Sequence, residues 1–532
     1  MQRNRNIPPK RNIDGIIGGP RRNDSLQSQK KRSSRRQVNS DDLLVRRPEH
    51  DDEILRRPRS RNEDVGEDKK LSRRAKRKQQ KQLAAANAPK QKGKTKRIVK
   101  RVFLIIIIMV LLAAGYFGFK SFSKLKNVFR GGGSSITLCS EVAPEKLKTE
   151  GDGRVNVLLL GIGGEKQPDG PNLTDSIMIM SINPLNNDVA LLSLPRDLWV
   201  SMGDDEYAKV NEAYQNGLYE YKDANKNGDE WLAIQQGFKN ADQIIGDALG
   251  IKINFNVLIS FAAFEQGIDA VGGIDINVPE DLVDYSMAWE NNGNPVLASA
   301  GEQHMDSKQA LMYTRSRYGS DRGDYDRAER QRAVIVALQK KVLSAGTLTN
   351  PVKVSQLIDA LGDNIRTDIG GEDRTCLVNI ARKVDGAKVK SVDLYDLVAG
   401  DMIGGQSVQA PKAGLRDYSE IQSYVRNELR DGYIAREDAT ISVYNASGVQ
   451  GLATKVADEL KSYGYRIDVV ETATEEFSQT QIVDTTNEDS PKYTLHYLQR
   501  RLGGQQTTQL PGTIEQGNAK IVIILGRDAA SN

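Results

Sequence analysis

Between residues 102 and 119 the chain reads VFLIIIIMVLLAAGYFGF, eighteen consecutive positions without a charge. As a helix this run covers about 27 Å at roughly 1.5 Å per residue, close to the hydrocarbon thickness of a bilayer. A core helix is seldom apolar on every face. About a hundred residues precede the run, too many for the short basic start of a cleaved signal peptide. The pattern predicts one transmembrane helix over 102–119.

Beyond it the pattern changes to short apolar runs alternating with longer segments of helical period. Val155–Leu160 (VNVLLL), Ser176–Ile182 (SIMIMSI) and Val189–Leu194 (VALLSL) read as buried strands, the last two joined by the turn NPLNN. Trp231–Leu249, Phe264–Val271 and Arg327–Leu343 read as helices, and Val257–Ser260 as a strand. Such alternation predicts an α/β fold: a layered α-β-α domain with a central mixed sheet over 151–430. A second rhythm starts near Thr440, with strands at Ile441–Val443, Ile467–Val470 and Ile521–Leu525 and a helix over Leu452–Ser462, which predicts a small C-terminal α/β domain over 438–529. Residues 120–150 read as a stalk with a flexible hinge at GGGSS (131–135), order beginning near Val155.

Charge sets the two ends apart. Residues 1–101 carry 32 Lys and Arg against 12 Asp and Glu, a net of +20, and the remainder carries −15. The first 101 residues have too few apolar side chains to offset chain entropy and read as a disordered basic tail. By the positive-inside rule that tail is cytoplasmic and the rest extracytoplasmic, a single-pass protein of the cell membrane. No helix-turn-helix or zinc pattern accompanies the basic runs, so no nucleic-acid partner is expected. Two cysteines, Cys139 and Cys376, exclude a disulfide-dense scaffold and leave one bridge or two thiols open. The three histidines are far apart and suggest no zinc site.

The stretch richest in chemistry is YTRSRYGSDRGDYDRAERQ, Tyr313–Gln331. Arg315 and Arg317 lie two apart, which on extended backbone places them on one face. Asp324 stands at the expected helix start as a natural cap, and Arg327 and Gln331 share a helix face at i and i+4. Guanidiniums and an amide near a helix N-terminus suit a phosphate or pyrophosphate. The same Arg, Asp and Glu residues would equally serve as a surface salt-bridge network. Two further stretches favour the anion site. Leu194-Pro195-Arg196-Asp197 places Arg196 at a strand end, where sites gather in open α/β sheets. LLLGIGG follows a strand with glycines and leads on to Asp175.

In order and spacing these stretches resemble the catalytic domain of the LytR-CpsA-Psr family of cell-wall glycopolymer ligases. The resemblance rests on LLLG (158–161), LTDSI (173–177), SLPRD (193–197), KVNEAY (209–214), AVGGI (270–274), ALMYTRSR (310–317) and GDYDRAERQ (323–331). NASGVQGLATKVADELKSYGY and the closing IVIILGRD are similar to the LytR C-terminal-type domain of some members. It implies a phosphotransferase that moves a glycopolymer from a polyprenyl-pyrophosphate carrier to peptidoglycan with Mg²⁺. Arg196, Arg315, Arg317, Arg327 and Gln331 would grip the pyrophosphate. Asp324 would orient the arginines or help bind metal, and Asp175 would be the Mg²⁺ ligand. Two positions depart from the family pattern: Gly163 stands where members often carry an Asp, and Leu173 where they often carry an Arg. Asp169 or Glu165 would be the nearest replacements for the missing carboxylate. A polyprenyl-pyrophosphate hydrolase, a non-catalytic wall-binding scaffold and a regulator acting through the basic tail are the competing readings.

Overall fold

The computed structural model describes residues 77–78 and 128–530, apart from 165–169, 321, 345–352, 354–355, 358, 360–361, 363 and 487. Apart from 77–78, the tail and the 102–119 run therefore lie outside the described residues. Among the described residues no helix is long and apolar enough to cross a membrane.

The apolar run Val155–Ile162 (β1) is the middle of a six-stranded sheet because both its faces are covered. Its neighbours are Thr174–Asn183 (β2), antiparallel, and Phe255–Ser260 (β4), parallel. Asp188–Leu194 (β3) follows β2 through a tight turn, with Asn187 at φ 60°. Ile365–Thr367 (β5) and Lys390–Val392 (β6) close the edges, giving the order β5-β4-β1-β2-β3-β6, a mixed sheet.

Ala213–Ala224 (α1) and Glu230–Leu249 (α2) make the crossover from β3 to β4. Asp229 starts α2 by accepting from the amides of Trp231 and Leu232, and Gly250 at φ 65° ends it. The two helices meet through glycines; a Cβ on Gly217 would lie 2.6 Å from the Gln236 carbonyl. With Ser419–Glu428 (α7) they cover one face of the sheet, burying Leu158, Leu160 and Leu258. The other face, with Val155, Val157 and Val257, packs on Asp324–Val342 (α5) and Gly371–Lys383 (α6). Phe261–Val271 (α3), Ser307–Arg315 (α4) and α5 build a third apolar cluster around two small two-stranded sheets.

The C-terminal unit is a five-stranded sheet. Its strands are Thr440–Asn445 (β7), Arg466–Thr472 (β8), Gln481–Asp484 (β9), Gln505–Thr507 (β10) and Ile521–Leu525 (β11), in the order β8-β7-β11-β9-β10. Leu452–Ser462 (α8) and Lys492–Leu502 (α9) cover one face.

The expected stalk differs from the reading. Residues 128–150 are bound into the fold. Arg130 and Gly133 donate to the carbonyls of Thr367 and Asp368, and Ser134 to that of Asn254. A Cβ on Gly133 would lie 2.5 Å from the Asn254 carbonyl oxygen. The glycines thus permit close docking on the sheet edge, where composition alone suggested a hinge. Cys139 is bridged to Cys376 on α6. Further on, Leu147 is buried in the core of the C-terminal unit, beside Tyr433 and Tyr493, whose rings stack at 4.0 Å. Glu141 binds Arg436 and Tyr493, and Glu150 binds Arg501 and Tyr465.

Candidate active site

A cavity of about 240 Å³ opens beside the C-terminal half of β1. Its lining includes the apolar side chains of Leu159, Met178, Ile259, Phe261, Phe264, Leu311 and Ile335. The same lining carries Asp175, Arg196, Arg315, Arg317, Arg327 and Gln331. Four guanidiniums from three parts of the sequence thus share one cavity with apolar side chains.

Each is positioned by its local structure. Asp175 is on β2, where it accepts a hydrogen bond from Arg196, which follows β3. Asp197, the next residue, gathers Lys209 at 2.9 Å and Arg317 at 3.4 Å. Arg315 lies 2.8 Å from Glu290 and over the Phe261 ring at 5.2 Å. Arg327, 7 % exposed, donates to the Asp175 carbonyl at 3.4 Å. Gln331 accepts from the Ser176 hydroxyl at 3.0 Å and donates to the Thr314 carbonyl. Arg196, Arg315 and Arg317 keep 22–32 % of their side chains exposed, so an anion can reach them.

Two local expectations change. Arg315 is the last residue of helix α4, and extended backbone begins only at Ser316. Asp306 and Gln309 form a capping box that starts this helix and carries it through Tyr313–Arg315. Asp324 is the first residue inside α5, and the cap position is taken by Gly323 at φ 54°; the side chain of Asp324 lies outside what the structure describes.

The arginine-rich stretch divides by task. Arg322 bonds Asp326 and Glu329 on the surface. Arg330 is buried, and burial pushes its guanidinium below the usual range. It donates to the carbonyls of Tyr313 and Ser316, fixing the turn that carries Arg315 and Arg317. Sequence reasoning placed Arg330 only in a salt-bridge network. It missed Glu290 and Ser176 altogether, although Ser176 stands inside the LTDSI motif.

Asp175 is the one carboxylate among the described residues lining the cavity. Among the described residues no three His, Cys, Asp or Glu gather at a metal-binding distance. Glu165 and Asp169 lie outside the described residues, Gly163 adds no side chain, and Leu173 places an apolar side chain in the loop before β2. This donor set fits a magnesium ion only where substrate oxygens complete the shell, as hard-cation sites with one carboxylate do.

The LytR_cpsA_psr family model matches residues 130–422, more than half of the chain. The chain belongs to the LytR_cpsA_psr family. A second model, described as LytR cell envelope-related transcriptional attenuator, matches residues 438–528. Among similar proteins is the cell wall biosynthesis protein LcpA of Corynebacterium glutamicum, 26 % identical over 77 % of this chain and 83 % of that one. Another is the polyisoprenyl-teichoic acid–peptidoglycan teichoic acid transferase TagU of Enterococcus faecalis, 30 % identical over 52 % of this chain and 79 % of that one. The crystal structure of TagV from B. subtilis covers 53 % of this chain and 98 % of its own at 23 % identity, with a TM-score of 0.38. The family resemblance carried by the seven motifs is thus membership.

Proposed function

We propose that this LytR_cpsA_psr protein is a phosphotransferase that moves a glycopolymer from a polyprenyl-pyrophosphate carrier to peptidoglycan. The observation that carries the reading is the mixed lining of the cavity. Its arginines match a pyrophosphate, which Arg grips bidentately, and its apolar side chains match the first units of a hydrocarbon chain. The names of LcpA and TagU support the same direction.

In the reaction, a hydroxyl of the glycan acceptor attacks the sugar-side phosphorus. The anhydride P–O bond breaks, a phosphodiester forms, polyprenyl monophosphate leaves, and the hydroxyl proton is released. Arg196, Arg315, Arg317 and Arg327 neutralise charge that moves onto the leaving phosphate, and Gln331 orients an oxygen. Asp175, already facing Arg196, would hold Mg²⁺ against the pyrophosphate, and the ion when bound would supply further charge neutralisation.

The reading also places the chain in the membrane with its folded part outside. The 102–119 run and the charge split support this, as does the Cys139–Cys376 bridge, since such bonds persist in oxidising compartments.

The test uses the full chain in detergent with a polyprenyl-pyrophosphate oligosaccharide and peptidoglycan fragments, with and without Mg²⁺. Arg315→Ala with Arg317→Ala should lower transfer at least about a hundredfold, the scale of lost transition-state contacts. Equal transfer by the double variant would refute the site. Released sugar phosphate without glycan attachment would make the protein a hydrolase.

A further inference from the structure

At the other end of β1 from the arginines, polar side chains with surplus acceptor oxygens meet beneath α2. Leu158 on β1 and Leu258 on β4 face that helix, so by strand alternation Asn156 and Asn256 face it too. Leu158 pairs with Asn256, which makes Asn156 and Asn256 diagonal neighbours on one face. Asp242 comes from α2, and Asp368 follows the adjoining strand β5.

The hydrogen bonds fix which way each amide points. Asn256 is fully buried, and its Nδ2 donates to Asp242 at 3.1 Å and to Asp368 at 3.0 Å. Its backbone N donates to the other Asp368 oxygen at 2.6 Å. Asn156, 5 % exposed, turns its Nδ2 to the Lys252 carbonyl at 2.7 Å. Both amides have therefore committed their donors elsewhere. The Oδ1 atoms of Asn156, Asn256 and Asp242 are buried with no donor in reach.

Charge is unbalanced as well. Among the described residues neither Asp242 nor Asp368 has a cationic partner. Lys239 and Lys252 line the cleft above, and the Lys252 ammonium lies 4.0 Å from Asp152 instead. Burial pushes the Asp242 carboxyl up to about 7, against the Asn256 bond and with the Asp368 charge adding to it. Burial raises Asp368 too. Buried carboxylates are normally paired, protonated or bound to metal. A single proton on Asp242 would give one donor to one amide oxygen and leave the other orphaned. A cation is a partner that several of these oxygens could share.

We propose that this corner is a structural site for a hard divalent cation of the Ca²⁺ class, with the Oδ1 atoms of Asp242, Asn156 and Asn256 as ligands. Asp368 orients Asn256 and adds negative charge. A cleft of about 690 Å³ between the catalytic and C-terminal units reaches Asn156 and Asp242 and gives ions and water access. Two amides, one carboxylate and added waters suit Ca²⁺, which accepts irregular oxygen shells, better than Mg²⁺, which demands a near-ideal octahedron. Bound there, the ion ties α2 to the start of β1 and β4. It also steadies the docked segment 130–134, because Gly133 donates to the Asp368 carbonyl at 3.2 Å.

The test is independent of the transferase reading. Full-length protein in detergent is stripped with EDTA and titrated calorimetrically with CaCl₂, and its melting temperature is taken with and without Ca²⁺. The wild type and Asp175→Asn, altered at the pyrophosphate site, should bind about one Ca²⁺ and melt higher with it. Asp242→Asn should bind none, and without metal should melt at or above the wild type because an unpaired buried charge is gone. Asn156→Leu, which keeps both carboxylates, should weaken binding at least about tenfold. Absence of Ca²⁺ binding in the wild type, or undiminished binding in Asp242→Asn or Asn156→Leu, would overturn the site.

Discussion

Replacing both bridged cysteines, Cys139→Ser with Cys376→Ser, tests how the segment before β1 is held. The bridge spans 237 residues of sequence and encloses the catalytic unit from β1 into α6. In the chain-entropy treatment, a loop of this length removes about 18 cal/mol/K from the unfolded ensemble, roughly 5.5 kcal/mol at 25 °C. Measured losses for native bridges run at about 2–5 kcal/mol, and the upper part of that range is expected, because the folded state keeps its shape without the bridge. Hydrogen bonds from Arg130, Gly133 and Ser134 already anchor the same segment to the sheet edge in the folded state. The assay is urea unfolding followed by tryptophan fluorescence, with Trp199, Trp231 and Trp289 as reporters. Oxidised wild type should unfold at the highest urea, and reduced wild type and the double-serine variant should coincide below it. Coincidence of the double-serine variant with oxidised wild type would refute the reasoning. It would mean that the bridge constrains nothing the unfolded chain does not already restrict.

Three further outcomes follow from the geometry. Gly217→Ala forces a methyl group to within 2.6 Å of the Gln236 carbonyl, and the α1–α2 contact should lose about 1–3 kcal/mol by thermal unfolding. Arg330→Lys keeps the charge but cannot span the carbonyls of Tyr313 and Ser316; transfer should fall at least about tenfold with Arg315 and Arg317 unchanged in sequence. In EDTA, burial holds the folded Asp242 carboxyl up at about 7, against an ordinary 3.8 in the unfolded chain. The folded state therefore favours the protonated form, and stability should fall as pH rises from about 4 to 7, then level off. At about 1.4 kcal/mol per unit its share of the fall is on the order of 4 kcal/mol; Asp242→Asn should make the fall shallower by that share in pH-dependent urea unfolding.

The sheet's middle was legible because β1, β2 and β3 are apolar runs long enough to declare themselves, and the structure extends no end by more than two residues. The edge strands were not. Lys390–Val392 and Gln505–Thr507 are three residues each and mostly polar, so their pairing is imposed by the neighbouring strand. At the site, residue type pointed to Arg196, Arg315, Arg317, Arg327 and Gln331 as anion ligands, and the fold gathers them around one cavity. What distinguishes Arg327 from Arg322 is position: one lies in the first turn of α5, the other before it, where Asp326 and Glu329 occupy it. Glu290 arrives from a loop 25 residues before its partner Arg315, a contact that no local pattern encodes. The GGGSS stretch misled because composition reports backbone freedom, whereas close docking also demands glycine.

The burial of Leu147 among residues of the C-terminal unit means that folding and sequence draw the boundary differently. A cut at residue 150 would look like removal of a linker, yet it would open a hole beside Tyr433 and Tyr493 and leave Arg501 without Glu150. Cutting at 438 would strip Leu147 of its surroundings from the other direction. The two ends of the described chain should therefore open together, as one cooperative unit. Amide hydrogens in residues 141–150 and in α9 should exchange at the same rate, slower than a tether and faster than β1.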